Sequence, residues 1–155
     1  MSYAGIRGAL ATRVAAVTGI EASNVFQRYK WSLDATTSQD FIDDFVDANS
    51  YVNFVVISRS EQEDIQPIED NLSLRRHSME IHLFYSLFEA EDSEHTFQDL
   101  IEGIASDLES GNRELGGAAF CYSLSVASID ELAGIGNRGD TVHHAEITTS
   151  VYEVI

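Results

Sequence analysis

One cysteine (Cys121), one proline and one lysine (Lys30) are all that 155 residues contain of each. A lone thiol excludes an internal disulfide and a cysteine cage for a metal. Only nine Lys and Arg stand against 26 Asp and Glu, giving a formal net charge of −17 and a pI near 4.3. That scarcity of cations excludes nucleic acid as a ligand held by charge, because phosphate binding needs clustered Lys and Arg to displace counterions. Anionic membrane surfaces are excluded in the same way. No apolar run approaches the roughly 20 residues of a membrane-spanning helix. The opening stretch, MSYAGIRGALATRVAAV, sets Arg7 and Arg13 inside its apolar run and so lacks the pattern of a secretory signal. The cytoplasm is the expected place of synthesis and folding.

What is present is the composition of a folded chain, with 44% hydrophobic and 23% charged residues. This length suits a single domain over 1–155 with its own core. The acid excess also resembles that of proteins from salty habitats, where solvated carboxylates keep a surface hydrated.

Periodicity predicts the elements. Ile6, Leu10, Val14 and Val17 recur at helical spacing behind a Ser2 cap, with Gly19 as a left-handed stop. NVFQRYKW (24–31) alternates as a strand, and a short acidic helix is expected over 37–47 with Phe41, Ile42, Phe45 and Val46 on one face. YVNFVVIS (51–58) reads as a β-branched strand, and the acidic, proline-bearing 60–72 as a loop. Over 73–87, Met79, Ile81, Leu83 and Tyr85 alternate with Ser78, Glu80, His82, Phe84 and Ser86, the pattern of a strand with one fully apolar face. Phe97, Leu100, Ile101, Ile104 and Leu108 form the stripe of a helix over 96–109, stopped near Gly111. Strands are expected over 118–129 and 141–155, with a loop between them. Strands that follow one another without intervening helices indicate an α+β fold: a mixed or antiparallel sheet with two main helices on one face.

No catalytic constellation emerges. Gly134, Gly136 and Gly139 have the G-x-G-x-x-G spacing of a dinucleotide loop, but they precede a strand rather than a helix. His143 and His144 diverge on a strand, as do His77 and His82, so no set of converging zinc ligands is expected. Cys121 lies in the apolar run AAFCYSL, where a buried, inert thiol is expected. The carboxylates gather at 40–47, 61–70 and 89–94, in loops and on a wet helix face, where solvated charge is the default. The chain therefore reads as neither an enzyme nor a metal or cofactor protein. Against the acid background two basic islands stand out, Arg28 with Lys30 and Arg75 with Arg76. They fit docking to carboxylates of a neighbouring subunit and pairing with acids of the same chain equally well.

The succession of NVFQRYKW, VNFVVISR, RRHSMEIHLFYSL, TFQDLIEGIASDLE and HHAEITTSVYEVI resembles the tail terminator and tail completion proteins of long-tailed, siphovirus-type bacteriophages. The resemblance is one of order and texture over nearly the whole length and includes no catalytic motif. It implies a non-enzymatic virion protein of the tail or neck, assembled in the host cytoplasm into a ring, usually of six copies. Such a ring sits at the head-proximal end of the tail tube, stops tube polymerisation and offers a docking surface to the head connector. DNA is a partner only in transit through the channel, and no membrane is involved. Carboxylates lining that channel would let DNA slide without sticking. Solubility or salt adaptation would account for the same composition.

A head-to-tail ring needs two different, complementary patches on each subunit. The candidates are Arg28, Tyr29, Lys30 and Trp31 with Arg75 and Arg76 on one side. Asp43, Asp44 and Asp47 with Glu63 and Asp64 of the 60–72 segment stand on the other. The alternatives are a neck or head–tail completion protein on the same scaffold, and a small non-enzymatic binding module.

Overall fold

Ser2 opens helix α1 (Tyr3–Ala15) by accepting a hydrogen bond from the Gly5 amide, which satisfies one of the donors a helix start leaves unpaired. A computed structural model describes the chain over residues 2–27, 45, 51–69, 72–87, 92–109, 113–116, 119–135 and 140–155. Strand β1 (Val25–Phe26) follows a turn of 3₁₀ helix at 22–24. Next come β2 (Asn53–Glu69) and β3 (Leu72–Ser86), then helix α2 (Ser93–Glu109), β4 (Ala119–Ile135) and β5 (Asp140–Val154). The expected helix over 37–47, apart from Phe45, the strand residues 28–31 and the stop at Gly111 lie outside the described residues.

The strands form one mixed sheet in the order β1-β2-β3-β5-β4, parallel only between β1 and β2. This is the α+β architecture expected from the order of the periodic segments. β3 is central and pairs with β5 from Leu74↔Val154 to Ser86↔Val142 without a slip. Of the G-x-G-x-x-G glycines, Gly134 lies in β4 and the next described element is the strand β5, not a helix, while Gly136 and Gly139 lie outside the described residues.

Both helices bury their apolar stripes on one sheet face. Ile6, Leu10 and Val14 of α1 and Phe97, Leu100, Ile101, Ile104 and Leu108 of α2 meet Val55, Ile57, Met79, Ile81, Leu83, Ala145, Ile147 and Val151. The opposite face carries a second, aromatic cluster. There Phe54 stacks on Phe84 at 4.5 Å and Phe45 closes against Phe54 and Phe26, with Val52, Val56 and Val142 around them. One end of the sheet is thus apolar on both sides.

The helices approach each other closely at two glycines. A Cβ on Gly103 would lie 2.7 Å from Val17 Cγ1, and one on Gly19, at φ 91°, 2.9 Å from Leu100 Cδ2. The Gly19 carbonyl also accepts a hydrogen bond from Asn53 Nδ2, tying the end of α1 to β2. Gly103→Val is expected to cost about 2 kcal/mol in denaturant unfolding, the usual scale for overpacking with a stiff side chain. Adding Val17→Ala should return part of it; an equal loss in both backgrounds would show that the contact is not the cause.

Arg13 fastens the helices together at the far end of α2. It donates from Nε to Asp107 Oδ2 at 2.9 Å and from Nη2 to the Asp107 carbonyl. α2 has no basic residue in its last turn, so this arginine supplies the positive charge that its C-terminal carbonyls favour.

Candidate interaction surfaces

Residues 60–69, expected as loop, are strand. The composition of SEQEDIQPIED is that of a turn, but β3 offers a paired backbone template along its whole length and the cross-strand charges match. Glu63 faces Arg76 and Asp64 faces Arg75. Arg75 clasps Asp64 with two hydrogen bonds, of 2.5 and 3.3 Å, and Arg76 Nη2 lies 2.7 Å from Glu63 Oε2. The hydrogen bond from Arg75 holds the Asp64 carboxyl below its ordinary pKa, and the same bond raises that of Arg75. Glu63, Asp64, Arg75 and Arg76, assigned from the sequence to two opposed patches, therefore lie on one hairpin and pair with each other. Arg28, Tyr29, Lys30, Trp31, Asp43, Asp44 and Asp47 lie outside the described residues.

A buried polar corner spans β2, β3 and β5, and Tyr3 at the start of α1 reaches it through Arg59. His77 and Glu153 are 1% and 2% exposed, and His77 Nε2 lies 3.1 Å from Glu153 Oε2. Arg59 Nη1 reaches His77 Nδ1 at 3.4 Å. A guanidinium can only donate, so Nδ1 accepts, and the ring donates its Nε2–H to the carboxylate. Burial works to raise the Glu153 pKa, but the hydrogen bonds it receives, that of His77 among them, hold it below the ordinary value. Arg59 also lies over the Tyr3 ring, 4.1 Å from its centroid, and Arg7 approaches the same ring at 4.9 Å.

On the opposite sheet face four titratable groups form a chain that sequence reasoning missed. His82 Nδ1 and His144 Nε2 are 3.1 Å apart, His144 Nδ1 is 2.7 Å from Asp130 Oδ1, and His82 Nε2 is 3.4 Å from Glu80 Oε2. The two rings stack at 5.4 Å. The alternation that separates His143 from His144 holds, since His143 turns inward to Ser93 and Phe97. What brings His82 to His144 is the β3–β5 register, which local pattern does not reveal. A bond between two imidazoles requires at least one of them neutral. No nucleophile belongs to this chain of groups. Among the described residues no group of three or more His, Cys, Asp or Glu is placed to hold a metal ion.

Two concave features lie among the described residues. A cleft of about 180 Å³ is lined by Leu108, Glu109, Arg113, Cys121, Tyr122 and Leu124, and an open groove of about 620 Å³ runs between the end of α1 and the outer side of α2. Burial raises the Cys121 thiol pKa, as suits an inert core cysteine. The edge strand β4 is covered by Arg113–Leu115 at its start, where Cys121 N donates to Arg113 O and Leu115 N to Ala119 O. Beyond Ser123 this edge carries no charge until Asp130, and Tyr122, Val126 and Ile129 are exposed along the strand. No helix among the described residues is long and apolar enough to cross a membrane. No protein-family model and no curated protein matches the sequence.

Proposed function

We propose that this chain is a structural subunit of a bacteriophage tail. Six copies form a ring at the head-proximal end of the tail tube, end its polymerisation and present a surface to the head connector. The observation that carries the reading is the element order behind the resemblance to tail terminators: helix, strand, long paired strands, helix, two closing strands. In this fold that order makes one sheet with both helices on a single face. Further support comes from where polar chemistry sits. The charged residues of the long hairpin are engaged in pairs that stiffen a surface rather than gathered around a cavity. An uncharged stretch of the β4 edge also gives a highly acidic chain one place where a neighbour meets no repulsion. DNA passes through the ring as cargo in transit.

The test is native mass as a function of protein concentration and salt, followed by electron microscopy of the product. A discrete hexameric ring, or one that grows in with concentration, is the expected result. Chains that stay monomeric alone and also fail to bind the ends of purified tail tubes would overturn the reading.

A further inference from the structure

The helical layer is electrically divided. The first 20 residues contain Arg7 and Arg13 and no acid, whereas α2 carries Glu94, Asp99, Glu102, Asp107 and Glu109 and no Lys or Arg. Arg13 is engaged with Asp107 between the helices. Arg7 is not so engaged: its guanidinium rests on the Tyr3 ring, and its Nε is shielded from water without an acceptor. Arg59 reaches the same ring from β2, and its polar contacts are Gln62 Oε1, at 2.6 Å, and His77 Nδ1. Two guanidiniums therefore share one aromatic ring, and among the described residues neither forms an ion pair with a carboxylate, in a chain rich in acids.

We propose that Arg7 and Arg59, held on Tyr3, are the carboxylate-binding half of a head-to-tail contact between copies of this chain. The other half is the outer face of α2 in the next copy, where Glu102 and Glu109 are exposed one above the other. The inference rests on the ring reading and goes further by naming the two patches that join. A guanidinium stacked on a ring has lost much of its freedom before a partner arrives, so less entropy is lost when it grips a carboxylate through its planar fork. Two unlike patches on one subunit are what a heterologous ring requires. The net charge does not forbid the contact. Repulsion between distant charges is screened beyond about 8 Å at physiological ionic strength, whereas a desolvated local pair is screened much less. Association should accordingly be strongest at intermediate salt and weaker at both extremes.

The experiment is a charge swap read by sedimentation velocity. One chain carries Arg7→Glu with Arg59→Glu, the other Glu102→Arg with Glu109→Arg. Each alone should self-associate at least about tenfold more weakly than wild type. Mixed in equal amounts they should recover assemblies, because one contact is then swapped and the next is native. Thermal unfolding confirms that each variant is folded, and Arg7→Gln with Arg59→Gln serves as a milder pair should a reversal fail to fold. Folded variants that associate like wild type would overturn the contact while leaving the ring reading standing. A wild-type chain that remains monomeric at millimolar concentration would overturn the contact too, and the ring reading would then depend on binding to tube ends. If a glutamate-rich peptide binds wild type but not the glutamine variant, and no self-association occurs, the site takes an acidic partner of another kind and the second copy is wrong.

Discussion

Phe97→Ala is expected to lower the unfolding free energy by about 3–5 kcal/mol, the range for removing a fully buried phenylalanine. Phe97 is wholly buried at the start of the α2 stripe, and its ring stacks on His143 at 5.1 Å. His143 is itself buried and held to Ser93 at 3.1 Å, so the substitution leaves a void and also strips one wall from a buried imidazole. Such a loss corresponds to a fall of roughly 6–20 °C in Tm for a chain of this size. Urea unfolding at constant slope is the direct check, because an unchanged slope attributes the effect to stability and not to a changed denatured state. Phe97→Leu, which keeps most of the volume, should cost much less. A loss under about 1 kcal/mol for the alanine variant would mean that α2 does not pack on the sheet as described.

The second large effect belongs to Glu153. Glu153→Ala leaves the buried, neutral His77 ring with an N–H that has lost its acceptor, and it should cost about 1–3 kcal/mol at neutral pH, toward the upper end because that acceptor is a carboxylate. Its folded-state pKa is depressed, so the stability it contributes is present above the unfolded-state value and is lost as the pH falls through the folded one. The window therefore opens below about pH 5. A background trend runs the other way, since protonating the many surface carboxylates relieves their mutual repulsion as the pH drops. The quantity to measure is thus the difference between wild type and Glu153→Gln at each pH. It should be largest near neutrality and shrink steadily on acidification. A difference that does not change between pH 7 and pH 3 would show that the charge of Glu153 contributes nothing.

How much could be read in advance depended on how far the deciding interactions reach along the chain. α2 was legible because its stripe of Phe97, Leu100, Ile101, Ile104 and Leu108 is a local signal, and β3 and β5 because their alternation is. The extension of β2 past Ser58 was not, because Glu61, Glu63 and Asp64 look like turn residues until Arg75 and Arg76 are set opposite them. The same holds for the two histidines that meet across β3 and β5. The aromatic cluster on the second sheet face was half visible in Phe84, the one phenylalanine of β3, which falls on its mixed side. The cationic corner at Tyr3 left almost no trace in the sequence beyond the absence of acids from the first 20 residues. Arg7 and Arg59 lie 52 positions apart, and only the packing of α1 on β2 brings them to one ring.

The long register between β3 and β5 also governs how the molecule comes together in time. β2 with β3, and β4 with β5, are hairpins whose partners are near neighbours in the chain. The β3–β5 seam joins residues 80 positions apart at Leu74↔Val154 and 56 apart at Ser86↔Val142, with α2 inside the loop it closes. Closing so long a loop costs entropy before any contact along the seam is gained. The topology therefore favours a docking of two locally formed hairpins, in which both β3 and β5 present a bare backbone edge until the seam closes. That interval, when the two central strands are open to the wrong partner, is when crowding by other nascent copies is most hazardous.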